Sequence, residues 1–125
     1  MLSLKEVLGP IMIGPSSSHT AGAVKLAKTA KMIVGEKFKE VTFGLGGSFA
    51  ATYKGHFTDL ALVAGSLGFS ETDERIRESF KIAIQNNLKY DFRPENIENG
   101  YDNTVRFTYT LLDDSKYFIE GASLG

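Results

Sequence analysis

The stretch SHTAGAVKLAKTAKMIVG, residues 18–35, predicts the first long helix of the chain. Apolar side chains recur along one face of this segment at helical spacing, and Gly35 marks its end. Because the face consists of small residues, the helix can lie close against a sheet or a second helix. The residues of this face are Ala23, Ala27, Ala30 and Val34.

Alternating and periodic segments follow this helix. The alternation of apolar residues within 40–49 predicts a strand that runs into a glycine cluster. Residues 58–67 indicate a short apolar helix, and residues 72–88 indicate the clearest helix of the chain, introduced by the capping pattern Ser70-x-x-Asp73. The glycines before Ser48 lack nucleotide-loop spacing, so we expect them to allow a close backbone approach or a bulge.

The C-terminal third favours a β-hairpin. Residues 92–102 are polar and turn-rich, whereas 104–122 hold two strand-like runs around the turn at 113–116. Ahead of residue 20, a short apolar lead is interrupted by Gly-Pro turns. Helices between early strands and a closing hairpin predict one two-layer α+β domain over residues 1–125.

The composition of the chain argues against several classes of function. The chain has 125 residues, a net charge of −1 and no cysteine. Nothing in it suggests nucleic acid or membrane binding, and we expect a cytoplasmic protein. Without cysteine it has no disulfide and no thiolate nucleophile, and it cannot supply the usual ligands of an iron–sulfur cluster. Any metal in its chemistry must therefore be held by another chain.

A first polar cluster, Gly14-Pro15-Ser16-Ser17-Ser18-His19-Thr20, precedes the first helix. It can be read as a polar N-cap, because Ser and Thr hydroxyls cap free N–H groups. One cap needs only one hydroxyl, however, and four of them suit a bound polar ligand such as a carboxylate or phosphate. Histidine titrates nearest neutral pH of all side chains, so His19 is a candidate base.

A second cluster, residues 54–59, precedes the short helix. Thr58 is the expected N-cap of that helix. Asp59 lies three positions after His56, close enough for its carboxylate to orient the imidazole. A solvated turn with a cap explains the same residues equally well. If both clusters are functional, two polar helix starts converge on one ligand.

These clusters resemble the signatures of the β chain of bacterial iron–sulfur-dependent L-serine dehydratases. The first signature is the first cluster, Gly14–Thr20. The second signature begins before the second cluster and contains it: Gly47-Ser48-Phe49-Ala50-Ala51-Thr52-Tyr53-Lys54-Gly55-His56-Phe57-Thr58-Asp59. Tyr53 departs from the family pattern, in which glycine is common. The terminal run Gly121–Gly125 resembles the start of a glycine-rich stretch that leads, in the family, towards a regulatory ACT domain. We therefore expect that ACT domain to be absent from residues 1–125.

The resemblance implies a fold like the allosteric substrate-binding domain of 3-phosphoglycerate dehydrogenase, a two-layer α/β sandwich. It also implies the conversion of L-serine to pyruvate and ammonia with a [4Fe–4S] cluster that the partner α subunit ligates. The expected partners are that α subunit and L-serine, and a second copy of this domain is a further candidate.

The resemblance also implies roles for the residues of both clusters. His19 is expected to remove the α-proton. Support of the site or contact with the α subunit is expected from Lys54, His56 and Asp59. The alternatives are a non-catalytic anion-binding or regulatory module, and a subunit that only contacts its partner. The residues expected to hold the substrate are Ser16, Ser17, Ser18 and Thr20.

Overall fold

A computed structural model describes residues 4–6, 11–14, 18–54, 57–98 and 101–124. The strands are β1 (Leu4–Glu6), β2 (Ile11–Ile13), β3 (Phe38–Gly47), β4 (Lys89–Pro94), β5 (Asn103–Leu111) and β6 (Lys116–Ser123). The helices are α1 (His19–Val34), α2 (Ser48–Thr52), α3 (Thr58–Ser66) and α4 (Ser79–Gln85), with a 3₁₀ helix at Glu74–Glu78 before α4. These elements confirm the α+β class.

The described strands form one mixed sheet in the order β1-β6-β5-β3-β4. β5 is antiparallel to both β3 and β6, whereas β4 runs parallel to β3 along the far edge. β2 continues the edge that β1 begins, and both pair parallel to β6. The antiparallel β5–β6 pair confirms the predicted hairpin.

The core lies between one face of this sheet and the helices. Alternate residues of β3 and β5 are fully buried, as expected for strands with one face on a core. The intervening Arg106 is exposed. The buried strand residues form one cluster with the buried faces of α1 and α3; they include Val41, Phe43, Leu45, Val105, Phe107 and Tyr109.

Helix α1 matches its prediction because both of its ends carry capping residues. The Ser18 hydroxyl accepts a hydrogen bond from Ala21 N at 3.1 Å, and Gly35 adopts the left-handed conformation with φ 65°. The predicted small face is buried and lies against α3. A Cβ added to Gly65 of α3 would collide with the Val24 carbonyl and the Ala27 side chain, so these two helices pack with almost no space between them.

The predicted continuous helix over 72–88 is wrong. Asp73 caps the 3₁₀ helix by accepting from Arg75 N at 2.8 Å, and the Arg75 guanidinium lowers the pKa of this carboxyl to about 2. Ser70 does not cap the segment; its hydroxyl pairs with that of Thr72. Helix α4, which follows the 3₁₀ helix, ends before Leu88 because the backbone of Asn87 is left-handed, with φ 57°.

The polar stretch predicted from residue 92 onward begins instead with part of a strand. Tyr90 and Phe92 of β4 point inward and stack on aromatic neighbours, Phe80 at 4.9 Å and Phe43 at 5.1 Å between ring centroids. The strand predicted within 40–49 is confirmed as β3, although it ends at Gly47 and the next residues form α2. Within the described residues, no helix has the length and apolar character that a membrane span requires.

Candidate functional site

The beginnings of α1 and α2, with His19 and Ser48, lie together at one end of the sheet. β3 ends at Gly47, which pairs with Asn103 at the start of β5. Asn103 pairs in turn with Ser123, and Ser123 with Ile13 at the end of β2. β2 and β3 therefore finish at the same end of the sheet. From there the chain continues from β2 to α1 and from β3 to α2.

His19 of the first cluster contacts the beginning of α2. Its Nε2 lies 3.4 Å from Ser48 Oγ, and its ring meets the Phe49 ring edge-to-face with centroids 5.6 Å apart. Phe49 is fully buried, so it forms a rigid wall for the half-buried imidazole. The ring is thus fixed by one apolar contact and one polar contact while part of it stays accessible.

The position of Ser48 depends on Gly47. Gly47 has φ 59°, and a Cβ on it would strike the Asp102 carbonyl oxygen. The same carbonyl accepts a hydrogen bond from Ser48 N at 2.7 Å. This confirms the close backbone approach predicted for the glycine cluster, and it explains how a strand can turn at once into α2 beneath His19.

Ser18 and Thr20 flank His19 but lie in different surroundings. The Ser18 oxygen caps α1, as the alternative reading of the cluster predicted, and its own O–H remains able to donate. Thr20 borders a cavity of about 510 Å³ that Phe57 and Asp73 also line. No acidic residue lies in the first turn of α1, so the helix N-terminus keeps its partial positive charge.

The second cluster differs from its prediction at the start of α3. The N-cap is Phe57, not Thr58, and it has no side-chain capping bond. Phe57 is half-exposed and left-handed, with φ 62°, a conformation that disfavours side chains other than glycine, asparagine and aspartate. Thr58 is fully buried, and its Oγ1 has no hydrogen-bond partner among the described residues.

The other described residues of this cluster make local contacts. Asp59 Oδ1 accepts from Leu60 N at 2.8 Å. Lys54 is exposed, with its Nζ 5.7 Å from the centroid of the Tyr53 ring. Tyr53, the residue that departs from the family pattern, stacks on Phe92 at 5.9 Å and belongs to the aromatic cluster around β4. Three predicted site residues lie outside the described residues: Ser16, Ser17 and His56.

Two site residues were not singled out by the sequence. Ser48 belongs to the second signature, but nothing in the spacing indicated that its hydroxyl would reach His19. Asn103 follows a polar stretch with no recognisable pattern. It is nevertheless buried, with 7% of its surface exposed, at the end of the sheet where α1 and α2 begin. In the described part of the chain, no group of three or more His, Asp or Glu side chains is arranged to hold a metal ion.

Comparison with known proteins yields one family. The family model described as serine dehydratase beta chain matches residues 7–120. The L-serine dehydratase beta chain of Peptoniphilus asaccharolyticus is 48% identical over 121 residues, which cover 96% of this chain and 54% of that protein. The probable L-serine dehydratase beta chain of Bacillus subtilis (strain 168) is 40% identical over 125 residues, covering 98% and 56%. The chain thus spans about half the length of these two relatives.

Proposed function

The chain belongs to the serine dehydratase β-chain family, and we propose that it supplies the proton-accepting half of an L-serine dehydratase active site. The reaction is the deamination of L-serine to pyruvate and ammonia. One observation carries the proposal: His19 Nε2 lies 3.4 Å from Ser48 Oγ, which joins the two signature clusters at one edge of the sheet.

A [4Fe–4S] cluster does not fit the residues of this chain. The sequence contains no cysteine, and its described residues offer no group of three other metal-ligating side chains. Iron–sulfur clusters are held mainly by cysteine thiolates. We therefore assign the cluster to the partner α subunit and derive only what the residues of this chain do.

His19 acts in the proposal as the base that removes the α-proton of serine. A hydroxyl both donates and accepts hydrogen bonds. Ser48 Oγ can therefore accept from Nε2–H, which leaves the lone pair of Nδ1 free to take the α-proton, and the same hydrogen bond persists once the imidazole is doubly protonated. The edge contact with Phe49 favours this orientation of the ring. A base so held contributes through orientation as well as through its proton affinity.

The substrate carboxylate is proposed to lie at the N-terminus of α1. The first turn of that helix has no acidic residue to compete with an anion, and the Ser18 hydroxyl keeps a proton to donate. Thr20 and the preceding Ser16 and Ser17 complete this proposed binding segment. Support of the site or contact with the α subunit is proposed for Lys54, His56 and Asp59.

The proposal also covers the fold of the chain and its partners. The described core lies on one face of the sheet, which supports a two-layer sandwich like the substrate-binding domain of 3-phosphoglycerate dehydrogenase. Residues 1–125 then form one domain of a cytoplasmic heteromeric enzyme. Its partners are the α subunit and L-serine, with a second copy of this domain as a further candidate.

The test is a His19→Ala variant assembled with the α subunit at matched cluster content. Loss of a general base predicts a fall in turnover of about a hundredfold or more, with unchanged subunit association. Turnover close to that of the wild type, with an altered dependence of activity on serine concentration, would instead favour the regulatory module. Weaker association with unchanged turnover of the assembled enzyme would favour the pure interaction subunit.

A further inference from the structure

Asn103 holds a buried hydrogen-bond acceptor that no residue in the described part of the chain satisfies. The residue is 7% exposed, and its Oδ1 has no hydrogen-bond partner among the described residues. Buried polar side chains are nearly always paired, and an unpaired acceptor is destabilising. An exception at the edge of a site points to a missing donor, because a ligand that brings an N–H or O–H group would remove the penalty.

Asn103 lies at the end of the sheet where α2 begins. It pairs with Gly47 across β3 and β5, one residue before Ser48. Side chains alternate along a strand, so Asn103 shares the helix-facing side with the buried Val105 and Phe107. Its neighbour Asp102 accepts the Ser48 N–H at 2.7 Å. The amide therefore faces the layer in which His19 and Ser48 meet.

We propose that Asn103 contacts the substrate, its side-chain oxygen accepting a hydrogen bond from the α-ammonium group. This inference rests on the proposed function of the site. Serine carries donors only on its ammonium and hydroxyl groups, because the carboxylate accepts. The ammonium group has three donors and a positive charge, and hydrogen bonds to charged groups are the stronger ones. Asn103 would thus hold the amino group while the N-terminus of α1 holds the carboxylate.

The experiment uses Asn103→Ala in the complete enzyme with its α subunit and cluster. Loss of a charge-assisted hydrogen bond predicts a KM for L-serine raised by about tenfold or more, with kcat changed by less than about threefold. Asn103→Asp, which keeps an oxygen acceptor, should restore most of the affinity. Asn96→Ala, an exposed asparagine on the neighbouring segment, is the matched control. A KM within about twofold of wild type for Asn103→Ala would overturn the proposal.

Two inhibitors separate the ammonium from the hydroxyl. L-Alanine keeps the ammonium group and lacks the hydroxyl, whereas 3-hydroxypropionate has the opposite pattern. Asn103→Ala should weaken L-alanine about tenfold and leave 3-hydroxypropionate within about twofold. Selective weakening of 3-hydroxypropionate, or equal weakening of both, contradicts the assignment. The thermal midpoint should not fall, because Oδ1 has no partner among the described residues to lose, whereas loss of a structural asparagine would lower it.

The outcome for Asn103 is distinguishable from that for His19. If His19→Ala keeps its turnover, the proposed base is wrong, yet the KM effect at Asn103 can still be measured. If Asn103→Ala leaves both KM and inhibition unchanged while His19→Ala is inactive, only the inference about Asn103 is wrong.

Discussion

Nε2 of His19 lies 3.4 Å from Oγ of Ser48, although the two residues are 29 positions apart in the chain. The contact exists because β2 and β3 end at the same edge of the sheet and each is followed by a helix. Neither cluster is a site alone. Their contact gives the imidazole a partner that suits both of its protonation states.

Removing the Ser48 hydroxyl should reduce activity less than removing His19 itself. Ser48→Ala deletes one hydrogen bond worth about 0.5–1.5 kcal/mol, which predicts a kcat/KM of the complete enzyme lowered by about two- to tenfold. Ser70→Ala is the control and should be neutral, because the Ser70 hydroxyl pairs with that of Thr72. Equal activities of the two variants would contradict the orienting role of Ser48.

The α1–α3 packing makes Gly65 intolerant of a methyl group. A Cβ there meets the Val24 carbonyl and Ala27, neither of which can move without moving a helix. Overpacking of this kind costs about 1–3 kcal/mol, and it should outweigh the gain of up to about 1 kcal/mol in helix propensity. Urea denaturation of Gly65→Ala should therefore show a lower free energy of unfolding.

Gly44→Ala provides the matched comparison. The three atoms nearest to a Cβ at Gly44 all belong to the end of the Glu95 side chain, which is partly exposed and can swing into solvent. This variant should lose less than about half as much stability as Gly65→Ala. Equal losses would mean that the α1–α3 contact is looser than the structure indicates.

Tyr109 should make folding sensitive to alkaline pH. Its ring is fully buried, its hydroxyl has no hydrogen-bond partner among the described residues, and burial raises its pKa well above 10.0. Above pH 10 the unfolded chain releases this proton and the folded chain does not, so stability falls by about 1.4 kcal/mol per pH unit until the folded pKa is reached.

Tyr109→Phe removes both the unpaired hydroxyl and the titration. The variant should be about 1 kcal/mol more stable than wild type at pH 7, because an unsatisfied buried hydroxyl is lost. The difference should widen above pH 10 in urea unfolding experiments. A variant less stable at pH 7, with an unchanged difference at pH 11, would show that the hydroxyl has a partner.

The sequence predicts those helices and strands whose ends and buried faces are marked by residues within the same segment. α1 was predicted nearly to the residue because Ser18 and Gly35 cap it, and the hairpin because alternation flanks a polar turn. The helix over 72–88 was overextended, since Asp73 begins a 3₁₀ helix and Asn87 stops α4. The sequence did not reveal strand β4, because the apolar spacing assigned to that helix continues up to the alternating residues Tyr90 and Phe92.

The site was predicted only in part for a related reason. The motifs named His19 and placed Ser48 within a signature, but hydrogen bonds between distant segments depend on sheet register, which no local pattern encodes. Asn103, for example, is brought near Ser48 by its pairing with Gly47. Thr58 was expected as a cap because threonine favours that position, yet Phe57 occupies it with a left-handed backbone.

The most direct test of the central claim, that His19 takes the α-proton, is the pH dependence of kcat/KM for L-serine in the complete enzyme. A base must be unprotonated to act, so wild-type kcat/KM should rise with pH until the base is fully unprotonated and then level off. His19→Ala should be lower by about a hundredfold or more at the plateau and should lack this rise. A His19→Ala enzyme that keeps both the rise and a near-wild-type plateau would contradict the account.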